Sequence, residues 1–431
     1  MNKMEKVLLG LDRAMAFSFY ALIFFLPISI ALVEWFTSLP IVFYLLKRLL
    51  IWASQARGKK PSFRQEVNVL FQCLKPVDNF LNKPVAIFIF VNFLSIFFSQ
   101  YPHLSWKGFL GKVLQTAFIY FTFAECINSP KRLKNLLSVF MVSLLLIGAN
   151  GIFQYFAGYG FIFWNPIAEG RITSTFRASN DFGGYLVLSI PIAAALVLCH
   201  FKYSLKLFGK QASGYVQSLA LIFAFVCLGL SFSRGAWLGV ILALVVFSLH
   251  SRKFLAAMIA FSVVFVLFSS VLMLKKRQYI VGNNKQILIF NTSGREEFWR
   301  QALVMVKDHP VLGTGVNTYS LAVKKYNLTW SGYPHNCYLQ MAIETGLVGL
   351  GSFLFFLYTL FKAGINFYRN SQDRFSRWVV WGALSGLAGF LLHSFFDTLF
   401  YSVQLSSLMW VAFSLIGVIS GQGVGQSLRP K

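Results

Sequence analysis

The chain is short of charge, shorter still of acid, and without the small motifs that hold nucleotides or metals. Only 12% of its 431 residues are charged, against roughly a quarter in soluble globular domains. A soluble enzyme, a nucleic-acid-binding module and a disordered scaffold are therefore excluded at the outset. Asp and Glu number 14 against 39 Lys and Arg, a formal net charge of +25. The five cysteines, Cys73, Cys126, Cys199, Cys227 and Cys337, form no CxxC pair and share no loop, so neither a disulfide framework nor a zinc site is expected. Leu312-Gly313-Thr314-Gly315 is half a phosphate loop with no Gly-Lys-Ser/Thr behind it, so nucleotide hydrolysis is not expected of this chain. Internal repeats and low-complexity tracts are also missing.

What is present is apolar: 57% hydrophobic residues, 17% aromatic and a mean hydropathy of +0.63. This is the composition of an integral membrane protein. Apolar runs long enough to cross roughly 30 Å of hydrocarbon recur along the whole sequence, and we read twelve, at 14–33, 35–52, 84–99, 107–126, 133–156, 181–200, 215–233, 235–250, 254–274, 336–361, 378–397 and 403–420. All should be helices, because lipid leaves an open sheet edge unsatisfied. The expectation is one all-α membrane domain over 1–431, with a large loop at 275–335 and three C-terminal spans within 336–420.

Charge orients the spans. With Lys3, Lys6 and Arg13 on the cytoplasmic side, 25 of the 39 Lys and Arg fall on inner segments, which fits the positive-inside rule and places both termini in the cytoplasm. The first apolar run has no small-residue cleavage site and reads as a retained signal-anchor. The remaining cations are not needed for insertion. Nine lie in the large outer loop: Lys275, Lys276, Arg277, Lys285, Arg295, Arg300, Lys307, Lys324 and Lys325. Taken singly, any of them can be a solvated surface residue. As a group they suggest an anionic partner.

Three outer segments carry further polar residues. Arg171 and Arg177 precede Ser179-Asn180-Asp181, where Asn180 or Asp181 reads as the cap of the sixth span. Arg234 sits in the tight turn Ser231-Phe232-Ser233-Arg234-Gly235-Ala236-Trp237, and there it either snorkels to water or binds an anion. In the large loop, Ser293 can cap a short surface helix with an apolar stripe of Phe298, Ala302, Leu303 and Val306, placing Arg295 in its first turn among open amides. His335 stands where this loop re-enters the membrane before Asn336. A lone histidine there is more often a cap or a packed residue than a catalyst. Inside the apolar runs, Glu344 reads as a structural hydrogen-bonder. His393 and Asp397, four apart on one expected helical face, leave a proton relay open, as in a transporter.

Together, Ser233-Arg234-Gly235-Ala236-Trp237, Ser293-Gly294-Arg295, Asp308-His309-Pro310 with Leu312-Gly313-Thr314-Gly315, and His335-Asn336-Cys337-Tyr338-Leu339 before Glu344-Thr345-Gly346 resemble the bacterial O-antigen ligase and polymerase superfamily. The resemblance is densest over about 170–350. It implies a C-type glycosyltransferase fold of about twelve transmembrane helices in the bacterial inner membrane, with a periplasmic loop containing short helices. It also implies an inverting transfer of glycan from undecaprenyl pyrophosphate to an acceptor such as lipid A-core, at the periplasmic face and with neither metal nor other cofactor. Nucleic acid has no part in it. By that resemblance His335 acts on the acceptor, Arg171, Arg234 and Arg295 bind the pyrophosphate with Arg177 as a further arginine, and Asn336 and Glu344 support them. The lack of a DxD-type motif fits a leaving group handled by arginines, whose planar forks suit phosphate oxygens. A ligase, a polymerase and a protein O-oligosaccharyltransferase all remain open, as does a 12-span transporter.

Overall fold

The computed structural model describes residues 3–56, 63–167, 170–203, 213–281, 293–326 and 333–421. Helices follow one another as α1 (Lys3–Phe25), α2 (Ile30–Ala56), α3 (Phe63–Leu74), α4 (Asn82–Phe97), α5 (Pro102–Gly108), α6 (Gln115–Cys126), α7 (Pro130–Ala157) and α8 (Ser179–Tyr203). Then come α9 (Ser213–Leu230), α10 (Arg234–Ser248), α11 (Arg252–Val281), α12 (Ser293–Asp308), the single turn α13 (Tyr319–Ala322), α14 (Cys337–Asn370), α15 (Arg374–His393) and α16 (Val403–Gly421). The local sequence sets several ends. Ser129 caps α7 by accepting from Arg132 N, with Pro130 in the first turn, and Gly158 at φ 84° closes it. Asp373 caps α15 through Phe375 N and Ser376 N.

Every expected span falls largely on helix, and several boundaries differ. The chain breaks after Phe25 rather than near residue 34, α11 continues to Val281 so that the large loop begins later than 275, and α15 stops at His393 rather than 397. Among the described residues, α1, α2, α7, α8, α14, α15 and α16 are long and apolar enough to cross a membrane, and α4, α9 and α10 are shorter apolar helices. Burial sorts them. The apolar window of α8 is 83% buried and that of α16 89%, against 22% for α2, so α8 and α16 form the centre while α2 turns side chains such as Trp35 and Leu49 outward. Small residues let the central helices approach: a Cβ on Gly382 would lie 2.7 Å from Pro191 O, and one on Gly386 2.5 Å from Leu188 O. That pair is a Gly-xxx-Gly seam running antiparallel along α8.

The segment 293–326 has its own small core. Ala302 and Met305 of α12 pack with Tyr319, Ala322, Val323 and Ile343 of α14. The expected stripe is therefore rotated, since Leu303 is 50% exposed. Glu344 fastens the strap 310–319 to α14: its carboxylate accepts from Asn317 N at 2.9 Å, Tyr319 N at 3.3 Å and Gln340 Nε2 at 3.2 Å. The helix is interrupted there at Gly346 (φ 68°, ψ −177°). That break lets Thr314 N and Gly315 N donate to Ile343 O and Glu344 O, and Leu347 N to Pro310 O, each at 2.8 Å. Between α5 and α6 a wide π segment, Phe109–Leu114, carries Lys112, whose ammonium donates to Asn317 Oδ1 at 2.7 Å. Lys112 thus has a structural partner in the strap. Two cations assigned to the inner side are also engaged. Lys47 bridges Asp12 and Glu125, and Arg48 meets Glu125, tying α1, α2 and α6.

Candidate active site

Four separated pieces of sequence meet at one end of the bundle: the loop before α8, the α9–α10 turn, the entry to α14 with α12 lying on it, and the α15–α16 link. The loop before α8 is held by buried amides of α7. Gln154 Oε1 accepts from Thr173 N at 2.9 Å and Ser174 N at 2.8 Å, and Asn150 Nδ2 donates to Ser174 Oγ at 3.0 Å. This fixes Arg171, whose Nε donates to Ser231 O at 2.9 Å in the α9–α10 turn and whose Nη2 donates to Asn180 Oδ1 at 2.8 Å. Asn180 does not act as the cap read from the sequence. It lies in the first turn of α8, and its Nδ2 donates to Asp397 Oδ2 at 2.5 Å.

Asp397 is the hinge of the arrangement. Its Oδ1 accepts from Thr398 N at 2.8 Å and from His335 Nδ1 at 3.2 Å. A continuous line of hydrogen bonds therefore runs Ser231–Arg171–Asn180–Asp397–His335. With Nδ1–H directed at the carboxylate, the lone pair of His335 rests on Nε2, the atom placed to serve as a base; this tautomer follows from the partner. Burial alone would raise the Asp397 carboxyl. The His335 hydrogen bond, the positive charge of the neighbouring imidazoles when protonated and the Thr398 N–H outweigh it, leaving the group below the ordinary carboxylate range. The histidine side chain is 36% exposed and the aspartate 12%, so the pair has one face on solvent.

The proposed His393–Asp397 relay is corrected by this geometry. α15 ends at His393, with Ser394 O accepting from Cys337 N at 2.9 Å, so the i, i+4 register does not extend to Asp397. Among the described residues His393 Nδ1 meets no hydrogen-bond partner. Cys337 braces the link instead, its thiol donating to Asp397 O at 3.2 Å and accepting from Phe400 N at 3.3 Å.

The other candidates gather around this line. His335 has φ 49° and is followed by Asn336, which caps α14 by accepting from Tyr338 N and Leu339 N at 3.0 Å. Trp299 of α12 donates to Pro334 O at 3.1 Å, and the Phe298 ring lies 6.2 Å from that of His335. Arg295, one turn earlier on α12, is close enough for its charge to act on His393. Arg234 opens α10 behind Ser233, and a Cβ on the adjacent Gly235 would lie 2.7 Å from His393 Cδ2. Arg177 is exposed and acts electrostatically on Asp181. Lys285, named from the sequence, lies outside the described residues.

Residues 219–354 match the family model for O-antigen ligases. The resemblance to the O-antigen ligase and polymerase superfamily is borne out over that segment. The matched segment contains Arg234, Arg295, His335, Asn336 and Glu344, while Arg171, Arg177, Asn180 and Asp397 lie outside it. A Haemophilus influenzae protein described as uncharacterized is 26% identical over 261 residues, 54% of this chain and 60% of its own length. The chain thus spans about 60% of the relative it matches. Glu344, 9 residues beyond His335, is buried in the strap junction rather than directed at the histidine. The sequence reading missed Asn180 and Asp397 as members of the site. The signal available was the run Asp397-Thr398, a poor continuation for a helix.

Proposed function

We propose that this protein is an inverting membrane glycosyltransferase of the bacterial inner membrane. It transfers an oligo- or polysaccharide from undecaprenyl pyrophosphate to a hydroxyl of lipid A-core at the periplasmic face, without a metal. The end of the bundle carrying His335 is assigned to the periplasm, and the twelve helical segments are assigned as spans of the C-type fold. The observation that carries the reading is the hydrogen-bonded line from Arg171 through Asn180 and Asp397 to His335. It joins a phosphate-seeking guanidinium to an oriented imidazole.

In this reading His335 Nε2 takes the proton of the acceptor hydroxyl as that oxygen attacks the anomeric carbon from the face opposite the pyrophosphate. Asp397 holds the ring and stabilises the imidazolium that forms. As the glycosidic C–O bond breaks, its electrons pass to the pyrophosphate. Arg171, Arg234 and Arg295, with Arg177 at the rim, neutralise that charge. Asn336 fixes the backbone after His335, and Glu344 holds the strap beneath α12.

The test uses purified protein in lipid with an undecaprenyl-pyrophosphate-linked oligosaccharide, with and without lipid A-core, following pyrophosphate-lipid release and glycan mass. Release that depends on lipid A-core supports the ligase. Longer lipid-linked glycan without that acceptor would reassign the protein as a polymerase, and solute or lipid crossing the bilayer without release would reassign it as a transporter. His335→Ala should abolish transfer while donor binding is kept; unchanged turnover would remove His335 from the mechanism.

A further inference from the structure

At the opposite end of α8 and α15 from the His335 site is a cleft unrelated to glycan transfer. α8 runs from Asn180 at the site to Lys202, and α15 runs back from Arg374 to His393. The two ends are thus about 30 Å apart at 1.5 Å per residue. The cleft has a volume of about 220 Å³ and is lined by Lys202, Tyr368, Arg374, Arg377 and Trp378. Three cations and two aromatic rings line it, and among the described residues the lining includes no acid. The acid next in sequence, Asp373, turns its carboxylate to Phe375 N, Ser376 N and Ser376 Oγ as the cap of α15.

The floor is rigid. The Arg377 guanidinium lies 5.2 Å over the Tyr368 ring, Tyr368 stacks on Trp381 at 4.3 Å, and Trp378 packs edge-on to His250 at 5.0 Å. Stacking holds the Arg377 fork in place, so little rotamer freedom is lost when it binds an oxyanion. Flanking residues are apolar and open: Phe201, beside Lys202, is 68% exposed, and Leu249, beside His250, is 59% exposed. A basic, aromatic-floored cleft at a helix-bundle end with bare apolar flanks has the polarity of a lipid headgroup site.

We propose that this cleft binds the phosphate of an anionic membrane lipid, with Lys202, Arg374 and Arg377 on the phosphate oxygens and the acyl chains along the Phe201 and Leu249 flanks. A free phosphate offers the same oxygens and no use for those flanks.

The experiment is native mass spectrometry of the full-length protein in detergent, titrated with phosphatidylglycerol, phosphatidylcholine or inorganic phosphate. We expect phosphatidylglycerol to be retained in preference to phosphatidylcholine. Near-surface cations contribute about 1 kcal/mol each, or about fivefold. Lys202→Gln should therefore weaken retention about fivefold, and Lys202→Gln with Arg377→Gln about 25-fold. Arg377→Lys, which keeps the charge and loses the stacked fork, should restore only part of the loss from Arg377→Gln, and Arg369→Gln, an exposed cation on the same end but outside the cleft, should change nothing. If the double variant does not fold, the exposed Lys202→Gln alone decides. Equal retention in Lys202→Gln, an equal loss in Arg369→Gln, or displacement of the lipid by equimolar inorganic phosphate would each overturn the assignment.

Discussion

Replacing Asp397 by Asn changes one oxygen to an NH₂ group and forces a mismatch somewhere in the line from Arg171 to His335. If the new amide keeps its oxygen toward His335 and Thr398, its NH₂ faces the NH₂ of Asn180. Asn180 cannot turn over to accept, because its own oxygen holds Arg171 Nη2 at 2.8 Å. If the new amide turns instead, its NH₂ meets Thr398 N–H and drives His335 into the other tautomer, with the proton on Nε2 and no lone pair for the acceptor. The first arrangement leaves a donor unmatched, a loss of about 1–3 kcal/mol in stability. The second removes general-base catalysis, a loss of about 10²–10⁴ in rate. The assay is acceptor-dependent release of polyprenyl pyrophosphate by Asp397→Asn, read as kcat and donor KM separately, beside thermal unfolding. We expect kcat to fall at least about 100-fold with donor KM little changed. A variant within about threefold of wild type in kcat would refute the role of the carboxylate as the orienting group of the histidine.

Two further outcomes follow from the same geometry. The lowered Asp397 carboxyl contributes stability that is whole above the unfolded carboxylate value of about 3.9 and is lost as pH falls through the lower folded value; the protonated acid then resembles the amide, so the difference in Tm between wild type and Asp397→Asn should shrink below about pH 4, and a constant gap down to pH 3 would contradict the shift. Gly346→Ala should prevent accumulation of folded protein, because a Cβ there would lie 2.0 Å from Val311 O at φ 68° and such backbone alone costs about 1–3 kcal/mol for a residue other than glycine; normal yield and Tm would show that the strap can shift.

The helices were legible because apolar runs and their breaks are local properties: Asn336, where the tenth run begins, marks a start that the structure keeps. The membrane character needed no more than composition. His335 and Arg234 stand where a span meets a polar link and Arg295 on a helix of the large loop, but it was the family resemblance that gave them their expected roles. What stayed hidden depends on contact between distant residues. Asp397 lies 62 residues from His335 and 217 from Asn180, so a reading along the chain paired it with the nearer His393. The turn after His393 also escaped notice, because Ser394-Phe395-Phe396 is apolar enough to extend the run. The rotation of α12 was lost for a similar reason. Leu303 and Met305 suit an apolar face equally well, and only the partner surface of Tyr319, Val323 and Ile343 selects Met305.

His335 occupies left-handed backbone, φ 49°, between a proline whose carbonyl is tied to Trp299 and an asparagine committed to capping α14. Glycine would sit there without steric penalty, and almost any other residue gives up about 1–3 kcal/mol. Drift under selection for folding alone would favour glycine at this position. In the proposed mechanism the imidazole is kept in a conformation that weakens the fold for the sake of chemistry, and that sets a limit for engineering. Stabilising this protein by relaxing its strained residues would, on that mechanism, begin by erasing its base.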